Sequence, residues 1–401
     1  MKNVRFSALA ILAMALVALT AANSQTLEFK LLKTSNPKER VTGIHCATAK
    51  SCVIATEGSG GDGGKVYASN GVSIGAKLVD GDFESGNSSK LGLLGDLNFY
   101  GFSKVGDTLF ALSGVSKALI SSKGDITQAS TWSVQTLGKT PGGLNTQTGI
   151  GMKDDRWVLG VQAFISESTD EPSPGALWTA IWSPESAPDG FYQLWRDSNK
   201  TLCSSIPGPA MAPKPLQSVY IAADLGIIAY TTSGGSRASP EKEGVCLSSD
   251  GGKRFYRAAL PDAQDGDNPY GVTCITSDRC FAFSNKSAVF RGKTDFIYVT
   301  SDARKTVAST WKAAKLPAMR PDSRFNAVFF APDGKSGWAV GQVDVSNPLL
   351  LSTTDGGETW KDSTASVRGL APNAQLHSGF ALSAIAVWLG TNQGTVITSA
   401  K

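Results

Sequence analysis

Histidine is almost absent from this chain: His45 and His377 are the only two in 401 residues. A zinc site therefore lacks partners, because the cysteine spacing is not C-x2-C either. Long amphipathic helical patterns are missing. Apolar runs are short and bounded by Gly, Asp and Ser, which excludes a helical bundle and predicts an all-β protein. No Lys/Arg-rich run occurs and the formal net charge is only +4, so nothing marks a nucleic-acid surface. Nor does any phosphate loop or dinucleotide fingerprint appear in its β–α setting, and no G-x-S-x-G elbow lies on a strand–helix turn. Past the first two dozen residues no apolar run is long enough to span a membrane.

What is present begins with Lys2 and Arg5, an apolar run over 8–19, and small residues at Thr20, Ala21, Ala22 and Ser24. That order reads as a secretory signal peptide over 1–24, cut after Ala22 or Ser24. The net charge falls to +2 once Lys2 and Arg5 leave. Residues 25–401 are then one exported domain, extracellular or periplasmic if the source is bacterial, and expected to be a monomer.

Six cysteines in an exported chain suggest disulfides. Cys46 and Cys52 enclose five residues, as do Cys274 and Cys280, and each pair reads as a staple across a short hairpin. Cys203 and Cys246 remain to pair over a longer loop. Asn87, Asn199 and Asn285 stand in N-x-S/T sequons, glycosylation candidates on surface loops.

The organising stretch is L-S-T-T-D-G-G-E-T-W over 351–360, in which Thr353, Asp355, Gly357, Thr359 and Trp360 fit S/T-x-D-x-G-x-T-W. It reads as a hairpin turn that fastens itself: Asp accepts from turn N–H groups, Gly supplies positive φ, and Trp starts the return strand and packs across the hairpin. A second copy holds Ser248, Asp250, Gly252 and Phe255. A stretched one holds Thr300 and Asp302, with Trp311 later. The motif resembles the Asp-box, or BNR repeat, of β-propellers such as sialidases, the sortilin ectodomain, xyloglucanases and photosystem II assembly factors. The resemblance runs through nearly the whole mature chain by pattern. It implies that the boxes fix turns on the face away from the ligand-binding channel mouth.

Repetition supports a propeller independently. G-I-H-C-A-T-A-K-S-C from Gly43 and G-V-T-C-I-T-S-D-R-C from Gly271 are alike, and similar units span about 41–79, 97–137, 148–196, 216–260, 271–316 and 325–364. After these come three strands to Lys401, while an unpartnered strand stands over 26–33. Inserting it into the last sheet gives a seven-bladed propeller of four-stranded antiparallel blades with no exposed edge.

The channel-face loops are then 57–64, 166–174, 232–244, and the inter-blade segments from Asp80 and Asp262. Asp80, Asp82, Glu84, Asp265, Asp267 and His377 are the candidate ligand contacts there. Paired carboxylates among them would make a glycan-active hydrolase. Sialidase activity is disfavoured, because no Arg-Ile-Pro occurs and Arg40 is followed by Val-Thr. Loop oxygens of this type also suit Ca²⁺, but the spacing matches no EF-hand, and no metal or cofactor is expected. The leading expectation is a non-catalytic scaffold that binds a protein or glycan partner.

Overall fold

The computed structural model describes residues 27–33, 38–58, 63–80, 98–114, 118–136, 145–153, 156–163, 176–181, 192–195, 216–232, 245–252, 254–258, 260–261, 269–284, 296–320, 323–344 and 346–400. The signal-peptide segment, Cys203, Asn87, Asn199, Asn285, Asp82, Glu84, Asp265 and Asp267 lie outside the described residues.

Among the described residues the strands form seven four-stranded antiparallel sheets. The first strand, β1 (Lys30–Lys33), skips the strands that follow it. One sheet is β2 (Arg40–Thr48), β3 (Ser51–Glu57), β4 (Lys65–Ser69) and β5 (Ile74–Asp80), and the next is β6 (Phe99–Val105), β7 (Thr108–Ser113), β8 (Ala118–Lys123) and β9 (Trp132–Thr136). Two more are β10 (Asn145–Lys153), β11 (Arg156–Ala163), β12 (Ala176–Ile181) and β13 (Tyr192–Trp195), then β14 (Leu216–Ile221), β15 (Ile228–Thr232), β16 (Val245–Ser248) and β17 (Tyr256–Ala258). These are followed by β18 (Pro269–Cys274), β19 (Cys280–Ser284), β20 (Ile297–Thr300) and β21 (Trp311–Ala313), and by β22 (Arg324–Phe330), β23 (Gly337–Val343), β24 (Asn347–Thr353) and β25 (Lys361–Asp362). The last contains β26 (Leu376–Ser383), β27 (Ala386–Thr391) and β28 (Thr395–Thr398), with β1 beside β28, Lys30 facing Thr398 and Lys33 facing Thr395. The N-terminal strand is shorter than its apolar pattern predicted, because 27–29 lie outside the ladder.

Burial explains why the strands differ in composition. Second strands such as β19, C-F-A-F-S, and β23, G-W-A-V-G-Q-V, are buried at every residue. They lie mid-sheet with a neighbouring sheet on each face, so they need apolar runs rather than alternation. Fourth strands lie at the rim, and β25 is exposed throughout. First strands pack against one another in succession: β2 on β6, β6 on β10, β10 on β14, β14 on β18, β18 on β22, β22 on β26, and β26 on β2.

The core sits between sheets. Val53, Ala55 and Val66 of one sheet meet Phe99, Leu109, Ala111 and Ile120 of the next. In the same way Leu32, Trp388 and Val396 meet Val41, Ile54 and Tyr67, joining the chain's two ends. This is a helix-poor, all-β propeller with four-stranded antiparallel blades.

Candidate functional site

Two ends of the sheets are built in opposite ways. At one end lie the hairpins joining first to second strands and the turns joining third to fourth. Cys46 faces Cys52 in the ladder and Cys274 faces Cys280, and both pairs are disulfide-bonded. Cys246 is disulfide-bonded too, and its assigned partner Cys203 lies outside the described residues.

The acidic turns fasten themselves as their residue types require. Asp355 Oδ1 accepts from Glu358 N and Thr359 N at 3.0 Å each and from Thr353 Oγ1 at 2.8 Å; Thr359 Oγ1 donates to Oδ2 at 2.5 Å. Gly356 and Gly357 take φ of 73° and 88°, the left-handed region that costs glycine least. Partial burial raises the Asp355 carboxyl, but these donors outweigh it and hold the pKa at about 2. Asp250 repeats the scheme, accepting from Ser248 Oγ at 2.8 Å and Arg254 N at 3.0 Å, while Gly252 N donates to Ser248 Oγ at 2.9 Å. Phe255 packs against Tyr230 at a tilt, ring centroids 5.1 Å apart. In the stretched copy Thr300 Oγ1 and Thr310 N both donate to Asp302 Oδ1, at 2.8 and 2.7 Å.

Trp360 departs from its expected place. It precedes β25 instead of starting it, because Trp360 N donates to Lys315 O and Lys315 N to Glu358 O, 2.9 Å each, pinning the turn sideways to the neighbouring sheet. Its indole donates to Gly357 O at 3.1 Å and meets Phe330 edge-on at 6.0 Å. Hairpins and turns also clasp each other across sheets: Arg279, in the Cys274–Cys280 hairpin, donates through Nε to Gly356 O at 3.0 Å and through Nη2 to Glu358 at 3.1 Å. The acidic turns and disulfide hairpins thus share one end, and their carboxylates are committed to structure.

Of the sequence-predicted ligand contacts, Asp80 and His377 are among the described residues and stand at the opposite end, His377 with its side chain. Asp80 ends β5 opposite Lys65. Here a pattern unread in the sequence emerges. Each first strand carries a β-bulge close to its start, at Val41/Gly43, Phe99/Gly101, Gln147/Gly149, Leu216/Ser218, Pro269/Gly271, Phe325/Ala327 and Leu376/Ser378. The extra residues are Thr42, Tyr100, Thr148, Gln217, Tyr270, Asn326 and His377. Thr42, Tyr100 and His377 are half-buried between buried neighbours. The residue after each bulge is small because first strands converge: a Cβ on Gly43 would lie 2.4 Å from Gly101 Cα. The signal was in the text as V-T-G, F-Y-G, Q-T-G, L-Q-S, P-Y-G, F-N-A and L-H-S.

Hydrogen bonds stitch these strands to one another. Thr42 Oγ1 donates to Phe99 O at 2.5 Å, Asn326 Nδ2 to Leu376 O at 2.8 Å, and Ser378 Oγ to Val41 O at 2.9 Å. Above them the Glu39 carboxylate is fully buried, accepting from Tyr67 OH at 3.1 Å on each oxygen and from Lys65 Nζ at 3.2 Å. Arg40 pairs with Glu57 at 2.8 Å, and Gly58 N donates to Asn98 Oδ1 at 2.9 Å.

Burial, then Arg40 and Arg324, push the His377 imidazole down to about 4, and its Nε2 is buried without a partner among the described residues. A base that weak is poorly matched to proton transfer at neutral pH. His45 is likewise pushed to about 4, by burial and then Lys104, and packs on Phe380 at 5.0 Å beside its disulfide hairpin.

No family model and no curated protein matches the sequence. Solved structures do. YCF48 from Cyanidioschyzon merolae is similar with a TM-score of 0.58 at 12% identity, over 92% of this chain and 98% of that one. YCF48 bound to D1 peptide gives 0.56 at 11%, over 93% and 97%. The Niastella koreensis GH74 enzyme gives 0.56 at 12%, over 94% of this chain and 54% of that one. At such identities the likeness speaks for fold alone. Sheet topology and structural neighbours agree on that fold, a β-propeller.

Proposed function

We propose that this chain is an exported, non-catalytic Asp-box propeller of seven blades, its ring shut by β1, whose channel mouth holds a protein or glycan partner. The observation that carries the reading is the division between the two ends. The turn end spends its acidic groups on its own backbone. At the other end, successive first strands carry β-bulges at corresponding places, with Thr42, Tyr100 and His377 half-buried there. The contact of β26 with β2 and the pairing of β1 with β28 support closure of the ring. Disulfides support an oxidising compartment. The fold has a precedent for holding a peptide, since a solved neighbour is YCF48 bound to D1 peptide.

Asp80, Asp82, Glu84, Asp265, Asp267 and His377 are proposed contacts for that partner, and Asn87, Asn199 and Asn285 proposed glycan attachment points. The test is a glycan array and partner capture run beside a fluorogenic glycoside panel. Binding without turnover is expected. Turnover abolished by Asp80→Asn, Asp82→Asn, Asp265→Asn or Asp267→Asn would replace this reading with the hydrolase.

A further inference from the structure

Both histidines of this chain, His45 and His377, stand at one place: the seam where the last sheet packs on the first. His377 lies near the start of β26 and His45 towards the end of β2, the two first strands that meet there. Each is half-buried. The His45 ring crosses the seam to pack on Phe380 of β26, centroids 5.0 Å apart. At the other end of the seam Arg40 of β2 and Arg324 of β22 stand beside His377. Between the two, Ser378 Oγ donates to the buried Val41 carbonyl at 2.9 Å, and Leu32, Trp388 and Val396 pack on Val41, Ile54 and Tyr67.

The seam is poorly furnished to hold a positive imidazole. His377 Nε2 and Trp388 Nε1 are both buried there without a partner among the described residues. Besides each other, the strands packed on β2 and β26 are β3, β6, β22, β23, β24 and β27. Their charged residues are Glu57, Lys104 and Arg324. Glu57 is engaged by Arg40 at 2.8 Å, and Glu39, just before β2, accepts from Tyr67 and Lys65. A protonated His377 would thus meet two arginines, and a protonated His45 would meet Lys104. Burial first, and these cations second, hold both groups at about 4 instead of 6.5. At the other bulged positions stand Thr42, Tyr100, Thr148, Gln217, Tyr270 and Asn326, none of which titrates in weak acid.

We infer that the seam between β26 and β2 is a proton-operated latch: the ring stays shut while both histidines are neutral and parts there first when they take up protons. The latch rests on the ring closure proposed above. Opening lets water solvate each imidazolium, so the open form binds protons that the closed form resists. The sign follows, since a histidine pKa lowered by closure makes acid favour the open form. With each group moved from 6.5 to about 4, opening gains about thirtyfold per exposed histidine between about pH 8 and about pH 5.

The experiment is amide hydrogen exchange of the full chain at about pH 8 and about pH 5, read by mass spectrometry. The seam of β14 with β18, which holds no histidine, is the reference in the same sample and cancels the pH dependence of intrinsic exchange. Relative to it, protection of β1, β2 and β26 should fall about thirtyfold or more in acid. His377→Asn and His45→Asn should each reduce that fall and together abolish it, with His377→Gln and His45→Phe made in case an asparagine variant misfolds. An equal fall in every sheet, no fall, or a fall that the double variant keeps would overturn the latch and leave the closed ring standing. Absence of protection in β1 and β28 already at the higher pH would overturn the closure and the latch with it.

Discussion

The two ends of the same strands solve different problems. At the turn end Asp355 alone receives four hydrogen bonds, and Arg279 clasps Gly356 and Glu358 of the next sheet. At the mouth end the ladder is broken at the same place in each first strand, and His377 keeps a buried Nε2 without a described partner. Closed hydrogen bonding fixes geometry, whereas a bulge leaves its extra residue out of the ladder. The lesson is that the acidic residues of the described turn motifs, Asp250, Asp302 and Asp355, are engaged by donors of the fold itself.

Mutation can sharpen that contrast. The largest effect is expected at the turn end. Asp355→Ala removes four donors' acceptor, including two backbone N–H groups, and should cost about 3 kcal/mol in a denaturant titration. Replacing Cys274 and Cys280 together should cost about 2 kcal/mol by the same measurement, since the loop they close is short. At the mouth, Ser378→Ala leaves the buried Val41 carbonyl without its donor and should cost about 1 kcal/mol. Smallest is Arg40→Ala, where the arginine's own exposure keeps the effect within about 0.5 kcal/mol. A larger loss at Arg40 than at Asp355 would invert the comparison.

Acid separates the two histidines from the acidic turn by pH range. His377 and His45 have folded pKa values near 4, below the usual 6.5, so the unfolded chain takes up protons first. Stability should therefore be level above 6.5 and fall as pH drops from 6.5 towards 4. Asp355, depressed from 3.8 to about 2, adds a further loss only as pH falls through that lower window. Urea midpoints for His377→Asn and His45→Asn across this range check the assignment: each should shrink the upper fall and leave the lower one intact.

Much of the architecture was readable in advance. The unit bounds taken from short apolar runs agree with the observed sheets to within a few residues, because second and third strands are buried on both faces and show as continuous hydrophobic text. The cysteine pairs were readable because equal five-residue spacing puts both on facing ladder positions. The position of Trp360 was not, since its backbone pairs with Lys315 from another sheet and no local pattern announces that. The bulges were missed for another reason. V-T-G or L-H-S is trivial alone, and acquires meaning only when seven such triplets are aligned by strand pairing.

Closure of the ring by the chain's own N-terminal strand is the claim on which both ends depend. Its most direct test is a Lys30→Cys, Thr398→Cys variant, whose positions face each other across β1 and β28. Peptide mapping after oxidation should find an intramolecular crosslink in the monomer, with a raised unfolding midpoint. Free thiols at both positions, or crosslinks only between molecules, would contradict the closed ring.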